Sequence, residues 1–260
     1  MKQILFVCLF MIWAGAVSGQ MKNQRDVVGR RQGYWEAVDR NGKPVYSGHF
    51  KDDKPTGEMT RYFPAGGVRV IMNYCDDGAK VRARFFWQNG ELAARGNYVN
   101  MQRDSVWLYY SNATKTVSNR VEYTAGKHHG REQSFFPDGS IAEEINWKVG
   151  LKDGAWTQYF RSGQIKSSGA YINDQLEGVF STFYPDGAQE ISGAYRHGAP
   201  DGEWKRFDEK KKLVSTIRYS DGKIANFDEL EDAQREFFKK VSEQEGRIPE
   251  PTIDDFMMMR

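Results

Sequence analysis

Four histidines, His49, His128, His129 and His197, are the side chains of this sequence best suited to bind a metal ion or transfer a proton. None has a cysteine or a second histidine at the spacing typical of zinc ligands. His128 and His129 are adjacent, so in a strand their side chains point to opposite faces. The sequence therefore predicts no metal site.

Carboxylates are the next candidates for chemistry, and four of them fall in turn sequences: Asp138, Asp186, Asp208 and Asp221. Turns favour aspartate because its side chain binds the nearby backbone. A glycosidase needs two carboxyl groups about 5 to 10 Å apart across a cleft. No Gly-x-Ser-x-Gly, phosphate-binding loop or His-Glu-x-x-His motif occurs. We predict no enzyme and no cofactor, and leave an unrecognised carboxylate site as an alternative.

The charge balance disfavours partners that are attracted by the net charge of the whole protein. The formal net charge is +2, from 37 basic and 35 acidic residues, so binding to DNA, RNA or an anionic surface would have to be local. We predict no nucleic-acid partner. The densest basic cluster, Lys210 to Lys212, lies in a turn sequence and indicates a solvated turn or an edge guard, with contact to an anionic surface as the alternative.

A repeat must position all of these residues. The segment that begins Gly154-Ala155-Trp156 recurs at Gly178-Val179-Phe180 and again at Gly202-Glu203-Trp204, a period of 24 residues (178 − 154 and 202 − 178). Two copies depart from the pattern, because Lys80 takes the first glycine position in one and Ser105 precedes the aromatic residue in another.

Each copy holds two short runs of aromatic and β-branched residues separated by a turn such as Pro-Asp-Gly, Asn-Gly or Ser-Gly. This pattern is typical of a β-hairpin. Within a copy, Trp156 and Phe160 share one face of the strand and Tyr159 points to the other, so both faces carry rings. We predict an all-β repeat protein: an elongated, twisted antiparallel meander of about eight stacked hairpins over residues 33–224, with one C-terminal α-helix.

The repeat resembles the MORN repeat variant family, known from exported and cytoplasmic bacterial proteins, some described as antitoxin-like components. The matching residues follow one core motif and its trailing glycine and tyrosine: Gly154, Trp156, Tyr159, Phe160, Gly163, Gly169 and Tyr171. The resemblance implies a hairpin stack used for protein contact or for attachment near membranes. It implies no active-site residues.

The N-terminus predicts export. A short basic start, an apolar run from Ile4 to Trp13 and a small-residue exit are typical of a signal peptide over residues 1–19, cleaved after Gly19. Residues 20–32 would lead into the repeats. Cys8 would leave with the signal, and Cys75 alone would remain. We therefore expect a periplasmic, outer-membrane-associated or secreted protein.

The C-terminus predicts a cap or a binding element. Asn226 and Glu229 fit a capping box that starts an amphipathic helix over residues 225–246, followed by an extended or disordered tail, 247–260. The helix either covers the last hairpin or docks on a partner. The candidate partner-binding residues are the apolar side chains of helix and tail: Phe237, Phe238, Val241, Phe256, Met257 and Met258.

Taken together, these patterns predict a non-catalytic protein-binding or scaffolding module of the bacterial cell envelope, with a protein partner. The alternative is a protein that binds envelope glycan or a lipid surface through exposed rings between the turns. The two differ in whether the protein sediments with peptidoglycan or liposomes.

Overall fold

The computed structural model describes residues 21–75 and 78–244. The predicted signal peptide and tail lie outside the described residues. The chain divides into two units, residues 1–104 and 105–260. The strands of the first unit are β1 (Gln24–Arg25), β2 (Arg31–Val38), β3 (Pro44–Lys51), β4 (Lys54–Tyr62), β5 (Val68–Cys75), β6 (Lys80–Phe86) and β7 (Leu92–Val99).

Strand β8 (Gln102–Tyr110) runs across the boundary into the second unit. The second unit continues with β9 (Val117–Thr124), β10 (Lys127–Phe135), β11 (Ile141–Lys148), β12 (Leu151–Tyr159), β13 (Ile165–Ile172), β14 (Gln175–Leu176), β15 (Gly178–Phe183), β16 (Gln189–Arg196), β17 (Ala199–Phe207), β18 (Leu213–Ser220), β19 (Lys223–Ile224) and the helix α1 (Phe227–Gln244). Within each unit, strands pair antiparallel with their neighbours in the chain. The predicted meander of eight hairpins with one C-terminal helix is confirmed for the described residues.

Two kinds of turn alternate along this meander. In the middle of a repeat, the amide of Gly163 donates to the carbonyl of Phe160 at 2.9 Å, and Gly163 has a φ of 88°. This is a three-residue hairpin loop that ends in a left-handed glycine. Between repeats, Asn173 and Asp174 both have positive φ, 48° and 67°, as a two-residue type I′ turn requires. The alternation explains why each copy needs two turn sequences.

The first glycine of each repeat forms a β-bulge. Gly154 has a φ of 111°, and the pairing of β11 with β12 shifts register between Ile145 and Trp147 at this point. Ser105 keeps the left-handed conformation, with a φ of 58°. The register corrects the assignment of Lys80 to this position: Val81 pairs with Tyr98 as Gly57 pairs with Tyr74, so Val81 stands where most other copies have glycine. There β5 and β6 pair without a register shift, because a β-branched side chain disfavours the backbone that the bulge needs.

A lysine also occupies a left-handed position in the last hairpin. Lys211 has a φ of 62° and donates its amide to the carbonyl of Asp208 at 2.8 Å, as Gly163 does in its own loop. A side chain at this φ is strained. We expect Lys211→Gly to raise the free energy of unfolding by about 0.5 to 1 kcal/mol. Urea denaturation measures the change, and Lys210→Gly, next to it in the same loop, should not stabilise.

Asparagine side chains close strand edges at both ends of the described chain. At the first edge, the amide of Glu36 donates to Oδ1 of Asn23 at 2.9 Å, and the Asn23 amide donates to Tyr34 at 2.9 Å. At the last edge, the amide of Arg218 donates to Oδ1 of Asn226 at 2.9 Å. Each asparagine thus takes the place that a further strand would occupy.

Asn226 precedes α1, as predicted, but its side chain does not form the capping box. Its Nδ2 donates to the carbonyl of Thr216 at 3.2 Å, and Glu229 pairs with Arg218 instead of reaching back to Asn226. The Asn226 side chain therefore binds backbone groups of β18 rather than the amides at the start of α1.

The first half of α1 does not cover the last hairpin. Phe227 is 61% exposed, Leu230 is half-buried, and the side chains from Glu231 to Glu236 are all exposed. The alternative, that the helix docks on a partner, stays a prediction. In the described part of the chain, no helix has the length and apolar character needed to cross a bilayer.

Candidate functional site

A row of rings runs along one face of the second unit, each ring in contact with the next. Trp156 lies 6.2 Å from Phe180, and Phe180 lies 5.7 Å from Trp204, measured between ring centroids. Tyrosines flank this row edge-on. We call the set the ring ladder; its members are Trp156, Tyr171, Phe180, Tyr195, Trp204 and Tyr219.

The repeat builds the ladder by placing a ring opposite a glycine. Trp156 pairs with Gly169 and Phe180 pairs with Gly193 on the neighbouring strands. A Cβ added to Gly193 would lie 2.3 Å from Cδ2 of Trp204. The trailing glycine of each repeat therefore gives the rings the space in which they lie over the backbone.

The central rings of the ladder stack on one another. The planes of Trp156 and Phe180 are 13° apart, and those of Phe180 and Trp204 are 30° apart. All three rings are half-buried, so each keeps part of its surface available for apolar contact with another molecule.

On β10, before the ring ladder starts, polar residues take the places that rings occupy in later copies. Glu132, on β10, stands at the position that Trp156 holds in the next copy. Its Oε2 lies 3.1 Å from Nδ1 of His128. The imidazole of His128 lies edge-on to Tyr123 and Trp147, at 4.7 Å from each ring centroid. The indole nitrogen of Trp147 is buried and has no hydrogen-bond partner among the described residues.

A second carboxylate, Glu143, lies on the same face. Its Oε1 accepts hydrogen bonds from Nε1 of Trp156 at 2.7 Å and from Nε2 of Gln158 at 3.1 Å. Burial, together with the charge of Glu143, raises the pKa of Tyr171. The ammonium of Lys152 lies 5.1 Å from the ring centroid of Tyr171. Glu143 is therefore held in place by the ladder itself.

The opposite face of the same strands has its own fixed carboxylate. Glu144 accepts hydrogen bonds from the hydroxyl of Tyr159 at 2.9 Å and from Gln133 at 2.8 Å. Burial and this contact with Glu144 raise the pKa of Tyr159. Tyr159 and Trp156 thus lie on opposite faces, as the sequence predicts.

The turn carboxylates do what the sequence predicts in three of four positions. Oδ1 of Asp138 accepts from the amide of Ser140 at 2.9 Å, and Asp186 and Asp208 bind turn amides in the same way. Asp221 instead accepts from Arg196 at 3.3 Å. Among the described residues, no group of three or more histidine, cysteine, aspartate and glutamate side chains could hold a metal ion.

The role of the predicted partner-binding residues stays a prediction. Phe237, Phe238 and Val241 lie on α1, at positions whose side chains the structure does not describe. Phe256, Met257 and Met258 lie outside the described residues. Glu132 and Glu143 are not among the predicted residues, and only Glu132 carries a signal in the sequence, as the exception at the ring position of its copy.

The arrangement offers groups suited to binding. The half-buried rings supply apolar contact, while His128, Glu132 and Glu143 supply hydrogen-bonding groups within the same face. Because each of these groups is engaged by a neighbouring side chain, the face is a preorganised polar and aromatic surface.

Comparison with known proteins identifies the repeat. Residues 55–76, 129–148, 152–173 and 200–224 match the family model of the MORN repeat variant. No curated protein matches the chain at a significant level.

Among solved structures, similarity is weak. The crystal structure of TarM is 10% identical over 47% of this chain and 19% of its own, with a TM-score of 0.25. The GtfA/B complex bound to UDP and GlcNAc is 13% identical over 53% of this chain and 22% of its own, with a TM-score of 0.16. The Tc holotoxin pore of Photorhabdus luminescens is 9% identical over 76% of this chain and 13% of its own, with a TM-score of 0.20.

The chain thus spans less than a quarter of the length of these three structures, and the TM-scores are too low to indicate a common overall fold. The family model is the informative match, and its four stretches coincide with hairpins of the meander. The chain is a repeat protein, and four of its hairpins match the MORN repeat variant.

Proposed function

We propose that this protein is a non-catalytic protein-binding and scaffolding module of the bacterial cell envelope, and that the ring ladder carries its binding surface. MORN repeats are generally binding or scaffolding modules. The observation that carries the proposal is the row of stacked, half-buried rings along one face of the second unit. Aromatic side chains with a few fixed polar groups are the usual centre of a protein interface.

Protein contact is favoured over glycan binding because Trp156, Phe180 and Trp204 are half-buried and stacked on one another, which leaves less ring face for a sugar than separate, exposed rings would. The envelope location is supported by the predicted signal peptide at residues 1–19. No bond-making step is assigned to the carboxylates.

The proposal is tested by placing a photo-crosslinking amino acid on either face of β17. Arg206 is exposed and pairs with Ile191, on the ladder face, while Glu203 is exposed on the opposite face. We expect a crosslinked partner protein in native cells from position 206 and much less from position 203. Equal yields, or none from position 206, would remove the ladder as the binding surface.

The glycan and lipid alternative has a separate measurement. Co-sedimentation of the purified protein with peptidoglycan or liposomes above background would favour that alternative. We expect none, because the rings are half-buried and stacked on one another.

A further inference from the structure

Four exposed arginines lie on one face of the first unit. Arg69 is on β5, Arg82 and Arg84 are on β6, and Arg95 is on β7. Arg84 pairs with Ile71 on one side and with Arg95 on the other, which places Arg84 and Arg95 directly opposite each other. Alternation along β5 and β6 puts Arg69 and Arg82 on this same face. We call these four residues the arginine face.

One carboxylate, Glu58, pairs with Asn73 and so lies on the same face, two strands away from Arg82. None of its four guanidinium groups forms an ion pair with a described carboxylate, although Arg30, Arg31 and Arg120 elsewhere all do. Like charges directly opposite each other on a sheet are destabilising. The first unit therefore keeps a repulsive arrangement that folding does not require, which is typical of a site used for binding.

We propose that the arginine face binds an extended acidic segment of a partner protein. This inference rests on the proposed protein-binding function and names the chemistry of one partner surface. Arg82 and Arg84 are two residues apart on a strand, a spacing of about 6.6 Å, which is also the spacing of alternate side chains in an extended peptide. Aspartate or glutamate at alternate positions would meet successive arginines, and Arg95 would add a second guanidinium beside Arg84.

The use of arginine rather than lysine supports a carboxylate ligand. A guanidinium presents a planar set of donors that binds a carboxylate through two parallel hydrogen bonds. Between the arginines lie Ile71, Asn73 and Asn97, and the ring of Phe86, two residues after Arg84 on β6, is half-buried beside them. The net charge of +2 adds no global attraction to a polyanion.

The test uses a fluorescent peptide with glutamate at alternate positions and threonine between, and a matched peptide with glutamine in place of glutamate. Fluorescence anisotropy at low salt measures their binding to the full chain and to Arg84→Ala/Arg95→Ala. The control variant is Lys51→Ala/Arg61→Ala, which removes the same charge. Both control residues are exposed, and Arg61 pairs with Val70 on the other face of the same sheet.

We expect the glutamate peptide to bind the native chain and the control variant, and to bind Arg84→Ala/Arg95→Ala at least about tenfold more weakly. The glutamine peptide should not bind. Loss of repulsion should leave the Tm of Arg84→Ala/Arg95→Ala unchanged or raise it by about 1 to 3 °C, which separates lost binding from lost folding.

Three outcomes would overturn the inference: no binding of the glutamate peptide, equal binding by all three proteins, or arginine-dependent capture of anionic vesicles or polyphosphate without binding of the peptide. Each leaves the proposed function intact if position 206 still crosslinks a partner. If position 206 gives no crosslink but the peptide still binds through the arginines, the ring ladder is not the binding surface and the inference about the arginine face stands.

Discussion

Replacing Gly193 with alanine is expected to destabilise the second unit by about 2 kcal/mol, because the new methyl group overlaps a ring that cannot easily move. The added Cβ would lie 2.3 Å from Cδ2 of Trp204. Trp204 is stacked on Phe180 and lies edge-on to Tyr195 and Tyr219, so a shift of its ring disturbs three neighbours. Urea denaturation followed by tryptophan fluorescence measures the loss.

Gly169 provides the matched control for this substitution. It is the equivalent glycine one repeat earlier and pairs with Trp156. A Cβ added to Gly169 would lie 3.4 Å from its nearest atom, Cδ2 of Phe180. We expect Gly169→Ala to change stability by no more than about 0.5 kcal/mol. The double variant Gly193→Ala/Trp204→Leu should recover part of the loss. Similar costs for Gly193→Ala and Gly169→Ala would mean that ring overlap does not decide the effect.

Replacing Asn226 with alanine is expected to cost about 1 to 3 kcal/mol and to open a strand edge. The Asn226 side chain is 8% exposed and binds both the amide of Arg218 and the carbonyl of Thr216. Without it, these backbone groups of β18 become available to another chain. Thermal unfolding gives the stability, and light scattering at two protein concentrations gives the association state.

Two further variants define what Asn226 contributes. Asn226→Asp keeps the acceptor for Arg218 and loses the donor to Thr216. Its loss of stability should therefore be smaller than that of Asn226→Ala. Asn41→Ala removes an exposed turn asparagine and should change neither stability nor association appreciably. A monomeric Asn226→Ala at both concentrations would show that the side chain does not guard the edge.

Much of the fold could be predicted from the sequence because its signals are local. A left-handed glycine such as Gly163 and a two-residue turn such as Asn173-Asp174 fix where each strand ends, whatever the rest of the chain does. The bulge could not be predicted with the same ease. Only the paired strands show that Gly154 creates it and that the copy with Val81 at the same position lacks it.

The site was harder to predict because it depends on which residues meet across strands. Glu143 and Trp156 are 13 residues apart in the chain, and their hydrogen bond requires the register of β11 and β12. Arg84 and Arg95 become neighbours for the same reason. The predicted residues Phe237, Phe238 and Val241 rest on helical periodicity alone, and their role in binding remains a prediction.

The sequential pairing of the strands also determines how the second unit would respond to mechanical force. Since each hairpin there bonds only to the hairpins next to it in the chain, tension applied through a terminus loads one pair of strands at a time. Stretching would release the repeats in succession, each adding roughly 80 Å of extended chain. The unit would lengthen in steps while the remaining hairpins stay paired.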